Sequence, residues 1–369
     1  MIKNFCILFI SIALLASCSS SGEGEEVAVD SFDRAAMLTN FADNIIVPAY
    51  NDFSTKLATL KTAGETFTTT PDQTNLDALR TSWLAAYTTW QQVEMFNIGK
   101  AEELQYSFFM NIYPLTVADV ENNISNGSYD LDSANNHDAQ GFPALDYLLY
   151  GVADTDTAIL AKYTTDANAV GYQNYITDVL NQMSTLTAQV VTDWASYRNE
   201  FVVGVSNTAT SPGNKLVNDY VFYFEKGLRT NKFGIPGGSF SGNNNQPLPE
   251  KVEGFYSRIY SKELALEALN GAINFFEGKH YNATTKGLSF NDYLLELDRA
   301  DVSTAIIDKL AIAKTQINTL NANFYEQIMT DKTQVTLSFD RLQDVVQHLK
   351  ADMLQTFNIS VDYIDADGD

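Results

Sequence analysis

The side chains able to do chemistry gather in four stretches of this sequence. In GFPALDYLL, which begins at Gly141, the one carboxylate is Asp146. It sits one turn into a short predicted helix, where the helix dipole favours negative charge. Pro143 suits the first helical position because its missing N–H has no partner there, and Gly151 reads as the C-terminal cap. Glu225, Lys226, Arg229 and Lys232 form a charged cluster rich in cations within an acidic chain. The spacing puts Lys226 and Arg229 on one helix face, and the Gly-Ile-Pro-Gly-Gly run that follows offers exposed backbone N–H groups. Glu253, Tyr256 and Ser257 stand at the next helix start. Trp83, Trp90 and Glu94 share a face of an earlier helix, and an acid beside a packing seam needs a partner such as Arg229. Two accounts fit this set: a salt-bridge network that pins helices together, or a polar pocket at their interface.

Several reaction classes lack their residues. His137, His280 and His348 are far apart and form no HExxH pair, whereas a zinc protease needs two ligands from one helix face, a third ligand and a base. No GxSxG, Walker or GxGxxG element is present. The two cysteines are Cys6 and Cys18, both in the leader described below, so the mature domain carries no thiol for a disulfide, a metal or a nucleophile.

Helical periodicity dominates the elements that hold these residues. Leu76, Leu79, Trp83, Trp90 and Val93 line one face of a helix over 75–96, with Thr74 and Asp77 spaced as a capping box. Ile306, Leu310, Ala313, Ile317, Leu320 and Phe324 step by four and three over 301–331. Phe339, Leu342, Val346, Leu349 and Met353 repeat the pattern in the last helix. Further helices are predicted at 31–62 with a kink at Pro48, at 102–126 with a break near Pro114, and at 172–199, 215–230 and 256–278. Thr333–Ser338 reads as a short extended segment, and the irregular run over 232–250 as a loop lying across a groove. With 369 residues, 45% of them hydrophobic, the chain can fill one large or two ordinary cores. A polar stretch at 204–214 divides it, so the expectation is all-α, with helical bundles at 31–205 and 206–369 packed side by side.

The first residues are one Lys, an apolar run from Phe5 to Ala16 and then Leu15-Ala16-Ser17-Cys18. The run is shorter than the roughly 20 residues a bilayer span needs, and its order is that of a secretory signal. It is similar to bacterial lipoprotein signals, which makes residues 1–18 the signal, Cys18 the lipidated residue and 19–30 an acidic tether. The expected location is the outer membrane, facing the periplasm or the cell surface, with contact to the membrane through the lipid. A formal charge of −23 repels nucleic acid phosphates and favours cations and basic partners.

Trp83, Trp90 and Glu94, NIYPLTVADVENNI, GFPALDYLLYG, YFEKGLRTNKFGIPGG, VEGFYSRIYSKELALEALNGAINFFEG and the terminal VDYIDADGD together resemble the imelysin family, also called imelysin-like peptidase proteins, from about residue 40 onward. The resemblance implies two four-helix bundles related by duplication, on exported or lipid-anchored bacterial proteins that are often iron-regulated. The family hallmark is GxHxxE, whose His and Glu meet one metal ion. Here Gly141, Pro143 and Asp146 occupy that frame, so the His is replaced by a residue with no side-chain donor. Asp146 then holds iron or another divalent metal only if His137, Asp138 or a distant carboxylate completes the shell. Asp365-x-Asp367-Gly368-Asp369 has the start of a calcium loop without the later ligands.

The reading that follows is a non-catalytic ligand- or metal-binding lipoprotein linked to iron or metal uptake. Its alternatives are a metallopeptidase of the imelysin type, and an adaptor that docks an envelope protein and has no pocket with converging polar groups.

Overall fold

A computed structural model of the chain describes residues 31–239 and 244–362. The signal, Cys18 and the tether, the middle of the 232–250 loop and the Asp365–Asp369 motif lie outside the described residues. From Phe32 onward the chain forms one compact unit. Among the described residues the regular structure is helical, with a single isolated bridge between Lys279 and Lys286, and no helix there is long and apolar enough to cross a membrane.

Helix α1 (Arg34–Asn40) runs through a π-helical turn, Phe41–Ile46, into α2 (Val47–Thr69). The π-helical turn lies directly before Pro48, where the kink is expected. Proline has no N–H to offer the carbonyl of Asn44 four residues back, and that oxygen instead accepts the N–H of Tyr281 at 2.8 Å. Helix α3 (Gln73–Val93) is capped by Asp72, whose carboxylate accepts the N–H of Asn75, and not by the Thr74–Asp77 box. Short helices α4 (Lys100–Glu103) and α5 (Tyr106–Met110) precede the break at Pro114, after which come α6 (Val117–Asn126), α7 (Gly141–Asp146), α8 (Asp156–Thr164) and the long α9 (Ala169–Val203).

The remaining chain forms α10 (Pro212–Phe222), a π-helical segment over Tyr223–Gly234, α11 (Ile235–Gly237), α12 (Ser261–Phe276), α13 (Phe290–Glu296), α14 (Ala300–Asn318), α15 (Phe324–Thr330), α16 (Thr333–Gln347) with a π turn at His348–Met353, and α17 (Leu354–Thr356). Thr333–Ser338 is therefore helical, not extended. The 301–331 helix is two helices, because Asn323 caps a new start by accepting the N–H of Glu326.

Helices α2, α3 and α9 pack as one group, and α12, α14, α16 and the π segment as another, with α3 against α12 joining them. The expected seams face inward: Leu76, Leu79, Trp83, Trp90 and Val93 are buried, as are Ile306, Leu310, Ala313 and Ile317, and in the last helix Leu342, Val346, Leu349 and Met353, with Phe339 only partly buried. In the first group an aromatic cluster forms around Phe142, whose ring stacks on Tyr87 at 4.4 Å and lies within 6.3 Å of Phe53 and Trp90.

Candidate functional site

Helix α7 starts at Gly141, not at Pro143, and is buried along its whole length. The Asp146 carboxylate leaves it to meet a turn 110 residues away: one oxygen accepts the N–H of Tyr256 at 2.8 Å, the other that of Ser257 at 3.0 Å. Both oxygens therefore cap backbone. Among the described residues no group of three or more His, Cys, Asp or Glu side chains could hold a metal ion. His137 packs against the rings of Phe108 and Phe109, and Asp138 accepts the hydroxyl of Thr116 at 2.6 Å. The GxHxxE frame in this chain does not fit the family's metal. It is a brace between α7 and the 254–257 turn.

Gly151 is needed for space, not as a left-handed cap, since a Cβ there would meet the Tyr256 ring at 2.3 Å. Burial pushes the Asp146 carboxyl from 3.8 up to about 6 against the pull of its two N–H donors. Between about pH 4 and pH 6 the folded chain keeps a proton that the unfolded chain has released, so this group's stabilising contribution is complete at low pH and is lost as pH rises through 6. Asp146→Ala is expected to cost about 1–3 kcal/mol through the two orphaned N–H groups, with a larger penalty at pH 4 than at pH 7. Urea unfolding at both pH values measures this, and equal penalties would count against titration of Asp146 in that window.

The second centre is a buried ion pair. Lys232 on the π segment and Glu253 in the turn before α12 are 2.5 Å apart, with both side chains 2% exposed. Lys232 also donates to Gln91 Oε1 at 2.7 Å, and Gln91 returns a donor to Glu253 at 3.0 Å. Asn111 donates to Glu253 at 2.9 Å and to Glu94 at 3.1 Å, while its own oxygen accepts the Tyr87 hydroxyl at 2.6 Å. A desolvated pair survives only when its remaining hydrogen-bonding capacity is met in this way. The network ties α3, the segment after α5, the π segment and the 253 turn together.

Glu94 lies at the edge of the network and on the wall of a cavity of about 300 Å³. Burial raises its carboxyl pKa, Lys232 opposes that shift and Glu253 adds to it. Its hydrogen-bond partner is Asn111, not Arg229, which instead lies over the Phe339 ring at 4.4 Å. Asp219 also lines the cavity, and burial pushes its carboxyl up to about 8, helped by the charges of Glu102 and Asp362 and opposed by Lys215. Tyr223, 6% exposed, also lines the cavity, its hydroxyl beside Glu94 but without a partner at hydrogen-bond distance and angle.

The expected site residues therefore separate. Lys226 faces this cavity while Arg229 faces α16, because the wider π-helical turn takes residues three apart off a common face. Glu225 is fully buried and bound by Lys350 at 3.2 Å. Trp83 is core, its indole N–H directed at Phe142 O at 3.3 Å. The Gly-Ile-Pro-Gly-Gly run is helical and largely buried, not a set of exposed donors. Glu253, Tyr256 and Ser257 precede α12 and do not start it. Gln91, Asn111, Asp219 and Tyr223 were not anticipated. For Gln91 a signal existed: Trp83, Tyr87, Gln91 and Glu94 step by four and three, which places an amide in an apolar seam.

The family model described as Imelysin (Peptidase_M75) matches residues 46–353. Iron-regulated protein A of Synechococcus elongatus is 22% identical over 259 residues, which is 68% of each chain. Two solved structures share the fold: an imelysin-like protein from Psychrobacter arcticum, with TM-score 0.70 and 18% identity, and a putative iron-regulated protein A precursor from Parabacteroides distasonis, with TM-score 0.71 and 15% identity. In both cases the likeness covers 90% of this chain and 97% of the other.

Proposed function

The chain belongs to the imelysin family, and on that premise we propose that it is a non-catalytic ligand-binding protein linked to iron supply. We read it as an outer-membrane lipoprotein anchored through Cys18, its two helical groups being four-helix bundles related by duplication.

The observation that carries the non-catalytic part is the use of Asp146, both of whose oxygens hold backbone N–H groups of a distant turn. A metallopeptidase needs an open metal position with a base beside it. The frame meant to supply the ligands here supplies a proline and a structural carboxylate. Polar groups line the Glu94 cavity instead, which supports ligand binding over a purely adaptor role. The iron link is supported by family membership and by the relatives named for iron regulation.

The test is the abundance of the chain in cells grown with and without iron, read beside protein cleavage by the pure chain with and without a chelator. Abundance that responds to iron, with no chelator-sensitive cleavage, is the expected result. Abundance indifferent to iron overturns the iron link, and chelator-sensitive cleavage overturns the non-catalytic reading.

A further inference from the structure

We propose that the cavity walled by Glu94, Asp219 and Tyr223 binds a small amphipathic amine, a primary ammonium carried on an aromatic or branched apolar body. The inference deepens the ligand-binding reading above and rests on it.

The volume of about 300 Å³ is that of a small-molecule site. Its polar side includes two carboxyl groups and the buried Tyr223 hydroxyl, which lies beside Glu94 without a partner at hydrogen-bond distance and angle. An orphaned buried hydroxyl costs free energy that an incoming polar group recovers. An ammonium has three donors, enough for the Glu94 carboxylate and the Tyr223 oxygen beside it, with Asp219 elsewhere on the same wall.

The apolar part of the wall is Met95, Ile112, Phe108 and Phe222, while Asn97, Ser107, Asn111 and Asn231 add to its polar part. Phe108 is 43% and Phe222 40% exposed, so two aromatic rings stand partly in solvent where the cavity is lined. An apolar ligand body would cover them, and a cation beside their faces gains further attraction. Lys226 lines the cavity as well; once a bound cation ionises Asp219, two carboxylates on the wall face two ammonium groups. A metal ion is a poorer occupant, because no third ligating His, Cys, Asp or Glu accompanies the two carboxyls among the described residues.

Binding carries a proton signature. Asp219 is raised to about 8 beside Glu102 and Asp362, with Lys215 opposing, and Glu94 is raised by burial and Glu253, with Lys232 opposing. A cation entering the cavity that both line favours the ionised carboxylates, so at neutral pH amine uptake sends a proton from Asp219 to the buffer.

The experiment is calorimetry of the full chain with phenethylamine in two buffers of different ionisation enthalpy, with 3-phenylpropionate as the charge-reversed probe. Phenethylamine is expected to bind with proton release, and phenylpropionate not to bind. Glu94→Gln, which keeps an acceptor for Asn111, weakens the amine by about tenfold or more. Asp219→Asn abolishes the proton release. Phe108→Ser, at an exposed ring, weakens binding without touching the buried network and decides the matter if Glu94→Gln does not fold. No phenethylamine binding, equal binding of phenylpropionate, or affinity unchanged in the folded variants overturns the proposal. Failure here with iron-responsive abundance removes the ligand class alone, while abundance indifferent to iron with amine binding intact removes only the iron link.

Discussion

Lys232→Met should lower the unfolding free energy by about 3–5 kcal/mol, the cost of leaving a buried charge without its partner. Methionine keeps most of the length and apolar stem of lysine, so packing of the π segment changes little. What changes is Glu253, whose carboxylate then stays 2% exposed with two amide donors, from Gln91 and Asn111, and no cation. Gln91 loses as well, since its oxygen accepts from Lys232 at 2.7 Å. Removing both charges in Lys232→Met/Glu253→Gln should cost less than the sum of the single changes, because the second substitution relieves the uncompensated carboxylate. Urea unfolding of the four proteins measures the coupling. Simple additivity would mean that water already screens the pair, contrary to its burial.

The network's composition was half legible in the sequence. Glu94, Lys232 and Glu253 could be picked out as charges near seams, because an apolar stripe at helical spacing makes an interrupting charge conspicuous. Their pairing could not. Glu94 and Arg229 were natural partners by charge, yet the π segment rotates Arg229 toward Phe339 and brings Lys232 to Glu253. No residue type announces a change from four-residue to five-residue hydrogen bonding, so every face assigned beyond Tyr223 on α-helical spacing drifts. Regular seams such as Leu76 to Val93 survived because nothing in them alters the period.

Asp146 shows the other limit. Its position in a short helix was readable from Pro143, Leu145 and Leu148, and the lack of a side-chain ligand two residues into its frame from Pro143 itself. Its actual partners are backbone N–H groups at residues 256 and 257. Any residue but proline supplies such a group, so no side chain marks the site. Long-range capping of this kind is visible only once the fold places the turn over the helix.

Gly141→Ala should cost about 3–5 kcal/mol, from an unfavourable backbone conformation together with overpacking, and should weaken the Glu94 cavity with it. The residue has φ +70°, and an added Cβ would lie 2.2 Å from the carbonyl oxygen of Met110, 2.6 Å from its carbon and 2.8 Å from the oxygen of Phe109. All three are backbone atoms, which no rotamer change can clear. Gly151→Ala is the informative contrast, because the nearest atoms there belong to the Tyr256 ring and its φ is ordinary, so a side-chain shift absorbs part of the strain. The expected order is therefore a larger loss at 141 than at 151, read from urea midpoints. The functional consequence follows from what comes after Met110: Asn111 holds Glu94 and Glu253 together through one amide nitrogen. Pushing the Met110 carbonyl away displaces that amide and removes the Asn111 hydrogen bond from Glu94. Phenethylamine affinity should accordingly fall in Gly141→Ala, under conditions where the variant is still folded, and hold in Gly151→Ala. Equal affinity in both would show that α7 braces the fold without positioning the cavity.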